Sequence, residues 1–177
     1  YAYFNELKET QADFAAIDKE DCFRKVGQAV EAEARKNSEL LYESSAYYQY
    51  IVMQMKGIAA RTAWEVVKFY RSSRFRPYGF EITIGTKGDI PALSIRTPEG
   101  EEIAQIRGLI DRADTAKLGD ETLVSITDYK SSAKGLDVQL AEDGITLQPL
   151  LYAHALCQSM ENAVPAGMMY QQMTDPL

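Results

Sequence analysis

The hydrophobic periodicity of this chain changes once, near residues 74–77, and that change limits the folds open to it. Before it, apolar residues recur at helical spacing among charged neighbours, and no proline occurs before Pro77. After it, short apolar runs with strand character are separated by turn-forming residues. Helices followed by a succession of strands predict an α+β domain.

The first part is predicted to contain two long helices. Residues 36–38 mark a break, and the second helix runs from about Ser45 to Arg71 with an apolar stripe facing a core. No internal repeat is visible, and no linker rich in glycine, serine or proline divides the chain. We therefore predict a single domain, with a helical N-terminal arm at residues 1–73 and a core at residues 74–177.

The second part is predicted to contain four short strands and then a further helix and strand. The four strands fall at residues 80–85, 92–97, 103–113 and 123–129. Hairpin-type turns between them predict an antiparallel meander. The later helix begins within residues 137–145 and ends near Met160, and the last strand spans residues 166–171.

Composition excludes several classes of protein. The chain has 177 residues, 46% of them apolar and 25% charged, which is enough for a sizeable globular core. Its net charge of −7 argues against binding nucleic acid over the whole surface, although a locally basic channel remains compatible. No apolar run approaches the roughly 20 residues that cross a bilayer. We expect no membrane partner and a cytoplasmic location.

The two cysteines, Cys22 and Cys157, match no disulfide or zinc spacing, which favours a reducing compartment. The chain starts at Tyr1 without a methionine. We expect it to be a piece of a longer protein.

Asp128 and Lys130 lie on one face of the fourth predicted strand, because side chains alternate along a strand. The other residues of that face are apolar, so two charged groups there have a desolvation cost unless they compensate each other or hold an ion. The hairpin through Gly119 brings Asp111 near Asp128, since antiparallel neighbours lie about 5 Å apart. Two carboxylates and an amine are thus predicted to converge.

Paired carboxylates repel each other unless a cation lies between them. Hard oxygen ligands with open positions suit Mg²⁺ or Mn²⁺. Phosphodiester hydrolysis requires such a set, with a metal to polarise the phosphate and acidify a water, and a cation to stabilise charge on the attacked phosphorus. For Asp128 and Lys130 by themselves, a surface ion pair is the alternative interpretation.

These residues resemble the motifs of the PD-(D/E)XK nucleases, including the RecB-like branch. The motifs are GxxD at Gly108 and Asp111, DYK at Asp128 to Lys130, and QxxxY at Gln148 to Tyr152. The ordered triple is similar to the nuclease domain of the B subunits of AddAB-type helicase-nucleases, also called ATP-dependent deoxyribonuclease B subunits. The likeness is strong from about residue 74 to residue 176.

The resemblance implies a restriction-endonuclease-like core of α/β/α type, with a mixed sheet flanked by helices. It implies that Asp111 and Asp128 bind Mg²⁺ or Mn²⁺, with the main-chain carbonyl of Tyr129 completing the shell. Glu81, on the first strand, would be a further carboxylate in or near that shell, and the alternative is a solvated strand residue.

Three further residues carry predicted catalytic roles by the same resemblance. Lys130 would orient or activate the water and stabilise the transition state. Gln148 and Tyr152, four apart on a helix, would support the site and contact the DNA backbone. Pro149 lies between them and is compatible with a helix only in its first turn.

The chain also departs from features common in these relatives. Its only histidine, His154, follows the lysine, so the histidine metal ligand of many relatives is not expected. Neither cysteine lies in a cluster pattern, and no iron-sulfur cluster is expected in this sequence.

Residues 56–76 hold six basic residues and a single acid, Glu65, and could line a DNA path by neutralising phosphates. A solvated helix face is the alternative. The predicted DNA contacts are Arg71, Arg74, Arg76, Arg112, Ser131 and Ser132.

The resemblance implies a Mg²⁺-dependent exonuclease domain that hydrolyses DNA during double-strand-break repair, acting on single strands that a helicase supplies. The expected partner is an A-type helicase-nuclease subunit. The alternative is a catalytically inactive nuclease-like module that guides DNA or docks another chain. A stand-alone Cas4-like exonuclease would require clustered cysteines, which this sequence does not have.

Overall fold

The computed structural model describes residues 1–131 and 147–173. Its α-helices are α1 (Ala2–Glu9), α2 (Lys19–Ser44), α3 (Ala46–Ser72) and α4 (Gln148–Gln158), with a short 3₁₀ helix at Phe14–Ala16. Its strands are β1 (Arg76–Ile84), β2 (Leu93–Arg96), β3 (Glu102–Ile106), β4 (Gly108–Leu118), β5 (Glu121–Lys130) and β6 (Ala163–Gln172). The predicted α+β class is confirmed.

Within this described part, no helix has both the length and the apolar character needed to traverse a lipid bilayer. The described residues divide into a helical unit, residues 1–73, and a sheet unit, residues 74–130 with 147–171. That they form one domain stays a prediction.

In the helical unit, α2 packs against α3. The Asp18 carboxylate caps α2 by accepting from the Asp21 amide at 3.0 Å, and the Ser45 hydroxyl caps α3 by accepting from the Tyr48 amide at 3.2 Å. The predicted break at residues 36–38 is a kink, since Ser38 has non-helical angles of φ −162° and ψ 65°. α2 ends only at Ser44, and the next residue, Ser45, is the N-cap of α3.

The sheet unit contains a four-stranded sheet in the order β1-β4-β5-β6. β4 pairs antiparallel with both β1 and β5. β6 follows β5 in the same direction, because Thr122 N donates to Asn162 O at one end and Lys130 Nζ lies over the Tyr170 ring at the other. The sheet is therefore mixed, as predicted.

The predicted four-strand meander is wrong. The run at 103–113 is two strands, β3 and β4, and β2 and β3 form a separate two-stranded sheet. Ile90 bridges to Ile84 in the parallel sense and Ile90 N donates to Thr83 O, so the chain leaving β1 does not fold back as a hairpin. β4 is the strand that pairs with β1, and this pairing sets Ile82 opposite Ile110, both of which are buried.

The core of the sheet unit joins the sheet to α4, with Val124, Ile126 and Leu156 no more than 2% exposed. The end of the predicted helix is close to that of α4, while its predicted start lies in residues 137–145, outside the described residues. Pro149 falls in the first turn of α4, where its missing amide has no helical partner to lose. The predicted last strand is present as β6.

Candidate active site

The pairing of β4 with β5 reaches to within one residue of both Asp111 and Asp128. The register runs from Leu118 opposite Glu121 to Arg112 opposite Thr127. Continued by one residue, the register would set Asp111 opposite Asp128. Directly opposed residues of antiparallel strands project to the same face, so in that register the two carboxylates would share a face.

The Asp111 carboxylate also contacts the main chain of the neighbouring strand. Its Oδ2 accepts a hydrogen bond of 2.8 Å from the Tyr129 amide. This bond holds Asp111 against the segment that contains Asp128 and Lys130. Tyr129, whose carbonyl is a predicted metal ligand, is therefore tied to a second predicted ligand.

Asp128 and Lys130 form an ion pair, with Lys130 Nζ 2.5 Å from Asp128 Oδ2. Their side chains are 20% and 31% exposed, respectively. Lys130 apart, this buried carboxylate oxygen accepts no hydrogen bond from the described residues. Hydrogen bonding to Asp128 raises the pKa of Lys130 above its ordinary value, and partial burial opposes the rise. The ammonium also lies 5.4 Å from the centre of the Tyr170 ring on β6, within cation–π range.

Glu81 on β1 lies level with Asp111 on β4, and its backbone geometry is unusual. The register of β1 with β4 sets Phe80 opposite Arg112 and Ile82 opposite Ile110, so Glu81 lies level with Asp111. Its φ of 51° is in the left-handed region, which is uncommon for a residue other than glycine. Its side chain is exposed.

These donors fit a hard divalent cation. Across residues 1–131 and 147–173, no group of three or more histidine, cysteine, aspartate or glutamate side chains forms a metal cluster. Mg²⁺ commonly binds through only one or two carboxylates and keeps several waters. The buried, under-satisfied oxygen of Asp128 beside Asp111 meets that requirement, and the Tyr129 carbonyl is a further oxygen donor.

Gln148 and Tyr152 lie one turn apart on α4, and Gln148 Nε2 donates to the Tyr152 hydroxyl at 3.1 Å. The Tyr152 phenol occupies the space that a side chain at Gly108 would need. A Cβ there would come within 2.5 Å of Tyr152 Cζ. The glycine of the GxxD motif thus brings the QxxxY tyrosine against the strand that carries Asp111.

The opposite face of the same strand pair holds a second charged cluster. Arg112 and Asp114 are 1% and 0% exposed, and Arg112 Nε lies 3.0 Å from Asp114 Oδ2. Arg112 also donates to Thr127 Oγ1 at 2.8 Å and to the Tyr129 hydroxyl at 2.9 Å. Burial raises the pKa of Tyr129, although the Arg112 charge opposes this.

This burial corrects one prediction. Arg112 was expected to contact DNA, but its guanidinium lies in the interior and is bound by the side chains of its own sheet. Alternation along β4 sets Arg112 on the face opposite to Asp111. A phosphate would not reach it in this arrangement.

The other predicted DNA contacts differ in their surroundings. Arg71 is held in the helical unit, where it donates to the carbonyls of Phe14 and Ile17 and lies over the Trp64 ring. Arg74, Arg76 and Ser131 are exposed, and Ser132 lies outside the described residues. Contact of the described ones with DNA stays a prediction.

Sequence reasoning gave no role to Asp114, Thr127 or Tyr170. The signal for the first two was available, because Asp114 follows Arg112 on the same face of a strand and charged residues in the middle of a strand require partners. No local pattern in the sequence gives a role to Tyr170. Its place beside Lys130 depends on the long-range pairing of β6 with β5.

The chain is similar in sequence to known proteins that share one name. No family model matches the chain. It is 34% identical over 178 residues, 98% of its length, to the B subunit of the ATP-dependent helicase/deoxyribonuclease of Geobacillus kaustophilus. The proteins of the same name from Geobacillus thermodenitrificans and Caldanaerobacter subterraneus are 32% and 34% identical over 98% and 97% of the chain. The matched stretch is 15% of the length of each of these relatives.

Proposed function

We propose that this chain is a metal-dependent deoxyribonuclease domain that hydrolyses DNA phosphodiester bonds, as the names of its relatives indicate for those proteins. The observation that carries the proposal is that Asp111 accepts from the Tyr129 amide, between Asp128 and Lys130, which form an ion pair. The pairing of β4 with β5, which reaches to within one residue of both acids, supports it.

Each residue would contribute through its position. Asp111, Asp128 and the Tyr129 carbonyl would bind Mg²⁺ or Mn²⁺, with Glu81 as a further carboxylate. The bound ion would polarise the phosphate and acidify a water. Lys130, next to Asp128, would orient that water and stabilise the negative charge that develops on the phosphate oxygens. Tyr152, which packs against Gly108, and Gln148, which donates to its hydroxyl, would hold the DNA backbone beside β4.

We further propose that the substrate is single-stranded DNA supplied by a helicase during double-strand-break repair, with an A-type helicase-nuclease subunit as partner. The family resemblance supports this, together with the helicase named in the relatives. Exposed Arg74 and Arg76 would neutralise DNA phosphates.

A second candidate function is a nuclease-like module that guides DNA or docks another chain without cutting. The ion pair favours it, because Lys130 already neutralises Asp128. Among the described residues, no third acid forms a metal-binding group with Asp111 and Asp128. In that case the ion pair would replace the metal.

Mn²⁺ titration by calorimetry and Mg²⁺-dependent cleavage of single-stranded DNA distinguish the two. An active enzyme is expected to bind Mn²⁺ and to lose both binding and cleavage with Asp111→Ala. Asp120→Ala is the matched control, an exposed acid in the β4–β5 turn. Cleavage that survives in Asp111→Ala contradicts the assignment, while absence of both Mn²⁺ binding and cleavage in the wild-type chain favours the inactive module.

A further inference from the structure

The buried ion pair of Arg112 and Asp114 is not explained by stability. Burying two charges has a large desolvation cost, and apolar replacements of such pairs are often neutral or stabilising. The guanidinium is fully inside the protein and donates hydrogen bonds to three side chains. Such a cluster can serve to fix the geometry of the residues that it holds.

Two of the three partners lie on β5, next to the candidate active site. Thr127 immediately precedes Asp128, and Tyr129 lies between Asp128 and Lys130. Tyr129 is held at both ends, because its hydroxyl accepts from Arg112 on one face and its amide donates to Asp111. The Arg112 guanidinium is also 5.7 Å from the centre of the Tyr129 ring.

The bonds from Arg112 to Thr127 and Tyr129 lie where the regular pairing of β4 with β5 ends. The ladder of described pairs ends at Arg112 opposite Thr127, one residue before Asp111 and Asp128. Beyond that point, Tyr129 is bonded to β4 through its hydroxyl, which accepts from Arg112, and through its amide, which donates to Asp111. The bond from Arg112 holds Tyr129 to β4 through a residue that does not have to bind the metal.

We propose that Arg112 is a positioning residue for the active site. It holds the phenol of Tyr129 so that the amide of Tyr129 orients Asp111 and its carbonyl faces the cation. The inference rests on the proposed function and concerns the same site. It adds a residue that touches neither the metal nor the DNA.

Two single variants test this, since each removes one hydroxyl that accepts from Arg112. Tyr129→Phe removes the bond to the residue that contacts Asp111, and Thr127→Val removes a bond that does not reach it. We expect Tyr129→Phe to weaken Mn²⁺ binding about 10-fold, in the range seen when an outer partner of a metal ligand is removed. Thr127→Val is expected to bind Mn²⁺ as the wild type does. Calorimetry gives the affinity, and thermal unfolding of each variant verifies that the chain is folded.

Arg112→Lys provides a further test through non-additivity. If Arg112 acts through Tyr129, the double variant Arg112→Lys/Tyr129→Phe binds Mn²⁺ no more weakly than Arg112→Lys. Should Arg112→Lys fail to fold, the comparison of Tyr129→Phe with Thr127→Val still decides.

The failures of the two proposals are distinguishable. Wild-type Mn²⁺ affinity in Tyr129→Phe, or an equal loss in Thr127→Val, overturns the positioning role while leaving the nuclease assignment intact if Asp111→Ala abolishes binding. Mn²⁺ binding and cleavage that survive in Asp111→Ala overturn both.

Discussion

The two faces of the β4–β5 pair carry similar residues and hold them differently. On one face, Asp128 and Lys130 are an ion pair 20% and 31% exposed. On the other, the side chains of Arg112 and Asp114 are 2% and 0% exposed and lie within a network of hydrogen bonds. A partly exposed ion pair can accept a ligand, whereas a buried and fully bonded cluster holds the residues around it in place. Burial and bonding, rather than residue type, separate a site from its support.

The largest expected effect comes from breaking the buried cluster. Asp114→Ala leaves the Arg112 charge buried without its carboxylate and should reduce the free energy of unfolding by about 3–5 kcal/mol. Urea denaturation measures this. The control is Arg96→Ala, which breaks the exposed Arg96–Glu102 pair of the β2–β3 sheet and should cost at most about 1 kcal/mol. Equal losses in the two variants would contradict the contrast between the two faces.

On the accessible face, the expected effect is on catalysis. Lys130→Met should slow cleavage of single-stranded DNA by roughly 10²–10³-fold, the range for loss of one transition-state stabiliser. Mn²⁺ binding should persist, because the carboxylates stay and the competing ammonium is removed. Lys87→Met, an exposed lysine of the same unit, is the control. If Lys130→Met cleaves at the wild-type rate, the ion pair is only a surface contact.

The contact of α4 with β4 gives a smaller, steric prediction. In Gly108→Ala the added methyl would overlap Tyr152, since a Cβ comes within 2.5 Å of its Cζ and 2.7 Å of its Cε1. The free energy of unfolding should fall by about 1–3 kcal/mol, as in overpacked cores. Gly85→Ala, where a Cβ meets nothing within 4 Å, is the matched control. Tyr152→Ala in the Gly108→Ala background should restore part of the lost stability, and failure to do so would exclude the overlap as the cause.

The smallest effect is expected in the helical unit, where the charges are exposed. Hydrogen bonds from Lys56, and then from Tyr42 and Arg35, lower the pKa of Glu31 from 4.5 to about 2. The stabilisation is therefore complete above the ordinary pKa and is lost as the pH falls towards about 2.

Thermal unfolding followed by circular dichroism between about pH 5 and about pH 2 measures this loss. The advantage of the wild type over Glu31→Gln should shrink across that range. Glu39→Gln, an exposed acid on the same helix, is the control. A constant difference between wild type and Glu31→Gln would contradict the prediction.

Local signals predicted most of the elements, but not how the strands pair. The spacing of apolar residues identified the long helices, and turn residues marked the ends of several strands. The predicted meander was wrong because it paired each strand with the next one along the chain. In the structure β1 pairs with β4, and β2 and β3, which lie between them in sequence, form a separate sheet. That choice depends on packing Ile82 against Ile110, which lie far apart in sequence.

The β4–β5 hairpin followed from the short turn at Gly119, because the loop length of a hairpin fixes the register of its strands. Alternation also separated Arg112 from Asp111. Alternation alone did not predict which face of the sheet would be buried. Arg112 was expected to contact DNA, although its face is buried. The overlap of Tyr152 with Gly108 depends on how α4 docks, which no local pattern encodes.

The backbone at Glu81 has a consequence for how this chain can vary. Glycine adopts a positive φ without steric cost, and glutamate does not. Selection for stability alone would therefore favour replacement of Glu81 by glycine. If Glu81 has the proposed role at the metal, its carboxylate offsets this conformational cost. A laboratory selection for thermal tolerance alone is then expected to favour glycine at this position.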